Sequence, residues 1–178
     1  KAKRFGFSVV VVPQKNPHPG AEYYVEAFTK AITPRTKVMS VTHLTSTVGD
    51  IMPAKELAAL ARSRGILFLL DGAQSFGLLD VNLADIQPDF YSGSSHKWPC
   101  GARECGVLYV NKTAQAKLWP SVYSAYPGAV GFSKTFESFG QRDEATMIAM
   151  HEALTFQTKV GRAAIEKRSR DLTTQLIA

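Results

Sequence analysis

A lysine at position 97 and an aspartate at position 71 offer an amine and a carboxylate that could act together on a small molecule. Asp71 ends the apolar run of residues 65–70, and such a run predicts a strand buried on both faces of a parallel sheet. Lys97 follows a second short strand predicted over residues 89–93. Ligands bind at the carboxyl ends of parallel strands. We therefore expect the acid and the amine to converge at one edge of the sheet.

Each residue alone has an ordinary structural explanation, because an acid at a strand end often caps the next helix and a loop lysine is usually solvated. The combination indicates more specific chemistry. A lysine amine condenses with an aldehyde, and an acid pairs with a protonated ring nitrogen and raises its pKa. These are the two groups that a protein supplies to pyridoxal 5'-phosphate (PLP), which then stabilises a carbanion on its substrate.

Two short motifs extend this pattern: Asp-Gly-Ala-Gln at residues 71–74 and Ser-Ser-His-Lys at residues 94–97. With this interval between them, they resemble the class V aminotransferase family of fold-type I PLP enzymes, which includes cysteine desulfurases and isopenicillin N epimerase-like proteins. The resemblance implies a three-layer α/β/α fold with a mainly parallel mixed sheet. It also implies that residues 1–178 are a fragment of the large cofactor-binding domain, without its upstream part and without the C-terminal small domain.

The same resemblance assigns roles to individual side chains around the cofactor. Lys97 is expected to form the Schiff base, and Asp71 to pair with the ring nitrogen. Gln74 is expected to hydrogen-bond the ring hydroxyl oxygen. Ser94 and His96 are expected to contact the phosphate.

Two further positions are weaker matches to the family pattern. Ser46 occupies a position that is often asparagine in the desulfurase branch, and its surroundings look more like the epimerase-like branch. Gln141 stands where relatives commonly carry a threonine that reaches the phosphate of the neighbouring subunit's cofactor. This cross-subunit contact implies a homodimer, with capping by Asp143 as the competing structural role of the turn.

Hydrophobic periodicity predicts alternating strands and helices without repeats or linkers. Parallel strands joined by a helix end on the same edge, so residues 43–47 should lie near Asp71. The predicted strands cover residues 7–13, 37–42, 65–70, 89–93 and 107–110, and the predicted helices cover residues 22–32, 53–64, 112–119, 144–160 and 162–177.

Composition sets the remaining limits on function. The 178 residues, 45% of them hydrophobic, suffice for one sizeable core. The net charge of +6 comes from 21 Lys and Arg against 15 Asp and Glu, scattered without a nucleic-acid-binding motif. Cys100 and Cys105 are the only cysteines and fit neither a zinc site nor a disulfide framework, so we interpret them as buried or loop thiols. We expect a cytoplasmic protein without nucleic-acid or membrane partners and without a metal.

The residues leave the reaction type open. Transamination, epimerisation and carbon–sulfur cleavage share the same early chemistry, so an epimerase-like enzyme acting on an amino acid or related amine and a cysteine desulfurase or C–S lyase both remain. From another class, the chain could be a catalytically silent scaffold or a nucleotide-binding domain whose Asp71 holds a metal. The sequence lacks a Gly-x-x-x-x-Gly-Lys-Ser/Thr loop, which counts against nucleotide binding.

Overall fold

The computed structural model describes residues 2–122, 131–137, 140 and 142–177. Its four strands form one mixed sheet in the order β1-β2-β3-β4. The first three strands are parallel neighbours, and β4 runs antiparallel to β3. The strands are β1 Val38–Thr42, β2 Leu67–Asp71, β3 Phe90–Ser94 and β4 Gly106–Val110.

Helices and irregular segments connect and flank this sheet. The helices are α1 Ala2–Phe5, α2 Ala21–Ala31, α3 Ala54–Ser63, α4 Leu83–Ile86, α5 Phe132–Glu137, α6 Glu144–Val160 and α7 Arg162–Ile177, and a 3-10 helix covers Lys112–Lys117. The expected α/β fold with a mainly parallel mixed sheet is confirmed.

Local sequence explains where the main helices begin and end. In α3, Leu57, Ala58 and Ala61 form the buried face, and Gly65 follows the helix with a φ of +66°, a conformation that favours glycine. At the start of α6, the Asp143 carboxylate accepts hydrogen bonds from the backbone N–H groups of the first turn.

The hydrophobic core lies between the β1–β2 part of the sheet and helices α2 and α3. Tyr24, Leu57, Phe68 and Leu70 are almost completely buried there. Burying each such side chain contributes about 1.5–3 kcal/mol relative to leaving it exposed. The opposite face of β2 is only half-buried, so the strand is not fully covered on both faces as predicted.

The prediction of a strand over residues 7–13 is wrong. Residues 7–15 carry no helix or strand, and Phe7, Val9, Val10 and Val11 are exposed. The valine run favours extended backbone, but a strand also needs a neighbour to pair its N–H and C=O groups. No described strand pairs with this segment.

One helix prediction differs from the structure in extent. Residues 112–117 form a 3-10 helix, and the helix does not continue to residue 119 as predicted. The predicted helices over residues 144–160 and 162–177 are confirmed as α6 and α7.

Candidate active site

The parallel register places the carboxyl ends of β1, β2 and β3 side by side. Thr42 lies opposite Asp71, and Asp71 lies opposite Ser92 on β3. Ser94 ends β3 and pairs with Gly106 at the start of β4. The connection of residues 95–105, which carries Lys97, therefore leaves the sheet from the same edge as Asp71.

The backbone around Asp71 is fixed from both neighbouring strands. His43 donates its N–H to the carbonyl oxygen of Asp71 at 2.8 Å, and Gly72 donates its N–H to the carbonyl oxygen of Ser92 at 2.8 Å. The Asp71 carboxylate accepts a hydrogen bond at Oδ1 from the N–H of Ala73 at 2.9 Å. The side chain is half-buried, and its Oδ2 has no hydrogen-bond partner among the described residues. The expected approach of residue 43 to Asp71 is confirmed.

Gly72 is required by close packing rather than by an unusual backbone angle. A Cβ at this position would lie 2.1 Å from Cζ of the Tyr91 ring. Tyr91 is buried on β3, so its ring has little room to move away. The glycine of the Asp-Gly-Ala-Gln motif therefore lets the chain pass directly over this ring after leaving β2.

Ser95 joins the two ends of the connection over residues 95–105, which carries Lys97. Its buried hydroxyl shares its single hydrogen between the carbonyl oxygens of Cys105 at 2.8 Å and Ala102 at 3.1 Å, and its N–H donates to the Cys105 carbonyl at 2.9 Å. Gly101 donates its N–H back to the Ser95 carbonyl at 2.7 Å. These bonds hold the start and end of the connection together, so Lys97 extends from a closed loop.

Within this loop Lys97 is half-buried. Cys100 donates its N–H to the Lys97 carbonyl at 2.9 Å, which forms a turn directly after the lysine. The Lys97 amine makes no ion pair with any residue in the described part of the chain. The amine therefore remains available to a ligand.

A hydrogen bond between side chains joins the two halves of the site. The indole N–H of Trp98 donates to Oε1 of Gln74 at 3.1 Å. Gln74 lies three residues after Asp71, and Trp98 follows Lys97 directly. With Oε1 engaged, the Gln74 amide nitrogen still has donors to offer to an oxygen acceptor.

Buried polar residues lie beside this edge. Nδ1 of His43 is 3.0 Å from the Ser75 hydroxyl, which is 3.3 Å from the Tyr91 hydroxyl. Burial lowers the pKa of His43, although Glu166 opposes this effect. Burial also raises the pKa of Tyr91, the hydrogen bond with Ser75 opposes this increase, and the nearby Asp71 charge adds to it. Both side chains are consequently neutral near pH 7.

The predicted site residues do not all lie equally deep. Gln74 and Ser94 are half-buried like Asp71, while His96 is exposed. Ser46 is exposed in the loop after β1. Gln141 lies outside the described residues. The roles assigned to these side chains at a cofactor remain predictions.

Sequence reasoning missed two contributors to this architecture, Ser95 and Gln157. Gln157 on α6 is buried, and its amide donates to the carbonyl oxygens of Gly77 and Trp98. A signal was present in the sequence, because Gln157 lies seven residues after the buried Met150 and so continues an otherwise apolar helix face. A buried polar residue on such a face needs partners.

The cysteines lie in the loop and against α6. Cys100 is exposed, and Cys105 is half-buried with its sulfur 3.1 Å from the Met150 sulfur.

No group of three or more His, Cys, Asp or Glu that could hold a metal ion occurs among the described residues. No helix in the described part of the chain is long and apolar enough to cross a membrane.

The sequence model of the family described as aminotransferase class-V matches residues 2–178. The chain belongs to this family. The resemblance drawn from the two short motifs is thus confirmed over nearly the whole sequence.

Curated relatives from both expected branches match the chain. An isopenicillin N epimerase from Streptomyces clavuligerus is 37% identical over 158 residues, which are 80% of this chain and 40% of that protein. A probable cysteine desulfurase from Halalkalibacterium halodurans is 30% identical over 156 residues, which are 83% of this chain and 38% of that protein. The chain therefore spans about two fifths of the length of these relatives.

Solved structures show the same fold. The apo structure of a cysteine desulfurase from Thermococcus onnurineus NA1 matches 98% of this chain and 44% of that chain, with a TM-score of 0.80 and 22% identity. The cysteine desulfurase CsdA from Escherichia coli matches 98% of this chain and 45% of that chain, with a TM-score of 0.78 and 24% identity. This likeness supports the assignment of the fold.

Proposed function

We propose that this chain supplies the lysine and the acid of a PLP-dependent enzyme of the epimerase-like branch, acting on an amino acid or related amine. One observation carries the proposal. Asp71 and Lys97 leave the sheet at the same edge, and the Trp98–Gln74 hydrogen bond links the segments that carry them. Family membership gives the chemistry that such a pair serves.

The side chains at this edge fit the cofactor. Asp71 keeps one carboxylate oxygen free of described partners, and Lys97 keeps its amine free of ion pairs. The two residues form no ion pair with each other, so each charged group is open to the cofactor. Asp71 suits a protonated ring nitrogen, Lys97 an aldehyde and the Gln74 amide a ring oxygen. Ser94 and His96 offer donors to a phosphate.

When bound, PLP supplies an electron sink for charge that develops on the substrate's α carbon. The protein's contribution is to position and to move protons. With the cofactor in place, Lys97 would accept a proton from the α carbon and return it, and the negative charge of Asp71 would hold a proton on the ring nitrogen. Losing such a charged contact costs about 3–4 kcal/mol in activation free energy when the contact forms at the reacting group.

A cysteine desulfurase or C–S lyase is the second candidate. The likeness to the probable cysteine desulfurase of H. halodurans, 30% identical over 156 residues, favours it. Incubation with L-cysteine and a thiol reductant separates the two candidates, because a C–S lyase releases sulfide directly and a desulfurase releases it when its persulfide is reduced. A chain that binds PLP but releases no sulfur, and that inverts or transaminates an amino acid, supports the epimerase-like function.

We also propose that the protein works as a cytoplasmic homodimer. The support is the family's use of a neighbouring subunit at the position of Gln141. Light scattering of the full-length protein with PLP tests the dimer, and a monomer at micromolar concentration contradicts it.

The proposed function is tested by titrating the full-length protein with PLP and following its absorbance. The wild type should develop the absorbance band of a lysine-bound cofactor, and Lys97→Ala should not. Lys112→Ala is the control, because Lys112 is exposed at the start of the 3-10 helix. A band that persists in Lys97→Ala contradicts the proposal, and no band in the wild type supports a silent scaffold.

A further inference from the structure

Gln157 is a buried glutamine whose amide contacts both segments of the candidate active site. The side chain is 9% exposed. Its Nε2 donates to the carbonyl oxygen of Gly77 at 3.0 Å and to the carbonyl oxygen of Trp98 at 2.9 Å. An amide nitrogen carries two hydrogens, so these two bonds use its full donor capacity.

The two acceptors belong to distant parts of the sequence. Gly77 is 80 residues from Gln157 and follows the segment of residues 71–76, which begins with the proposed acid. Trp98 is 59 residues from Gln157 and is bonded directly to Lys97 in the chain. Helix α6 therefore connects, through one side chain, the segment after β2 to the segment that carries the lysine.

These two segments also touch each other at the same place. A Cβ on Gly77 would lie 2.7 Å from Cγ of Pro99, so the backbone of residue 77 packs directly on the proline ring. Pro99 is buried, and the Trp98–Gln74 hydrogen bond forms a second link between the segments. Gln157 thus lies where the two segments are already in contact, and it donates to one carbonyl oxygen of each segment in part-buried surroundings.

We propose that Gln157 is a positioning residue, which sets the place of Lys97 relative to Asp71 by holding the Trp98 carbonyl against the Gly77 carbonyl. The inference rests on the proposed PLP function. The Gln157 amide nitrogen can serve both carbonyls because it carries two hydrogens. The carboxylate oxygens of an ionised glutamate at this position would face the two carbonyl oxygens, and neither group could donate a hydrogen bond. A methionine would fill the space but would also have no donor.

Position matters here because the rate of a reaction between bound groups falls steeply when they are misplaced. A shift of about 1 Å can cost on the order of a hundredfold in rate. Gln157 does not touch the reacting atoms in this arrangement. Its substitution should therefore change how fast, and with which pH dependence, Lys97 reacts, while the secondary structure stays intact.

The test uses the full-length protein and the variants Gln157→Met and Gln157→Glu. Gln175 provides the matched controls Gln175→Met and Gln175→Glu, because it is an exposed glutamine on α7. Each protein is first checked by circular dichroism and thermal unfolding. The rate of PLP attachment to Lys97 is then measured by borohydride quenching and peptide mapping. The pH midpoint of the cofactor absorbance is measured in parallel.

We expect both Gln157 variants to attach PLP at least about tenfold more slowly and to shift the pH midpoint. Both Gln175 variants should match the wild type. Folded Gln157→Met with wild-type attachment and midpoint overturns the inference. If Gln157→Met and Gln157→Glu both fail to fold, Gln157→Asn decides. It keeps both donors on a shorter stem and should fold with slower attachment, and wild-type attachment in this variant overturns the inference.

These outcomes separate the inference from the proposed function. If the wild type never attaches PLP to Lys97, both the proposed function and the positioning role of Gln157 are contradicted. If the wild type and the Gln157 variants attach PLP equally fast, only the positioning role of Gln157 is contradicted.

Discussion

The indole N–H of Trp98 donates a hydrogen bond to Oε1 of Gln74 at 3.1 Å. This bond determines which end of the amide is occupied, and it leaves the Gln74 nitrogen to donate elsewhere. The residue that follows Lys97 in the chain thus orients a side chain that belongs to the Asp71 segment. The acid and lysine segments are joined by this bond as well as by their common place at the sheet edge.

Trp98→Phe should weaken PLP binding in the full-length protein. The substitution keeps an aromatic ring but removes the indole N–H that donates to Gln74 Oε1, which frees the amide to rotate. Loss of one hydrogen bond of about 0.5–1.5 kcal/mol corresponds to roughly two- to tenfold weaker binding. Fluorescence or absorbance titration measures it. Trp119→Phe is the matched control, because Trp119 is 85% exposed, and equal affinities for the two variants contradict the role of the Trp98–Gln74 bond.

Ser95→Ala should lower the free energy of unfolding by about 1–3 kcal/mol. The buried hydroxyl serves the carbonyl oxygens of Ala102 and Cys105, and alanine leaves them without this donor. Urea denaturation measures the change. Ser40→Ala, on an exposed position of β1, should stay within about 0.5 kcal/mol of the wild type. A Ser95→Ala variant as stable as this control would mean that the hydroxyl does not hold the loop closed.

Gly72→Ala should destabilise the protein by about 1–3 kcal/mol or more, because the new Cβ would lie 2.1 Å from Cζ of Tyr91. A double-mutant cycle isolates this clash. In a Tyr91→Ala background the ring is gone, so Gly72→Ala should cost clearly less. Urea denaturation of the four proteins provides the comparison. The same cost in both backgrounds would show that the ring is not what excludes a side chain at position 72.

Stability should fall as the pH drops below about 6.5, in part because of His43. Burial lowers the pKa of His43 from its usual 6.5, so below that pH the unfolded chain takes up a proton that the folded protein refuses. The contribution of His43 to the free energy of unfolding is fully present above pH 6.5 and is lost toward lower pH. The slope is at most about 1.4 kcal/mol per pH unit.

Urea denaturation at a series of pH values checks this dependence. His43→Gln should flatten the slope just below pH 6.5, and His151→Gln, at an exposed position of α6, should leave it unchanged. The measured quantity is the slope rather than the absolute stability, because His43→Gln also alters the contact with Ser75. An unchanged slope in His43→Gln would show that His43 does not cause the pH dependence in this range.

Local patterns were sufficient to predict most of the regular elements. The apolar spacing and the following Gly65 predicted α3 almost to its ends, an apolar run predicted β2, and short strand-like segments predicted β1, β3 and β4. The strand prediction over residues 7–13 failed because β propensity describes a residue's fit to a sheet and not the presence of a partner strand. Whether a partner strand is present depends on the tertiary structure.

The sequence predicted which side chains of the candidate site carry its chemistry, but it did not predict the hydrogen bonds that hold their segments in place. The order of strands and helices was enough to bring residue 43 next to Asp71. The bonds made by Ser95 and Gln157 could not be foreseen, because they join residues up to 80 positions apart through individual carbonyl oxygens. Periodicity reports which face of a helix is buried, and it does not report which backbone groups that face meets.

Reduction of the PLP-loaded full-length protein with borohydride, followed by peptide mapping, identifies the lysine that carries the cofactor. We expect the cofactor to be fixed on Lys97, and we expect Asp71→Asn to attach PLP at the same lysine but to lose activity with amino acids. Cofactor fixed on another lysine, or full activity in Asp71→Asn, would contradict the pairing of this amine with this acid.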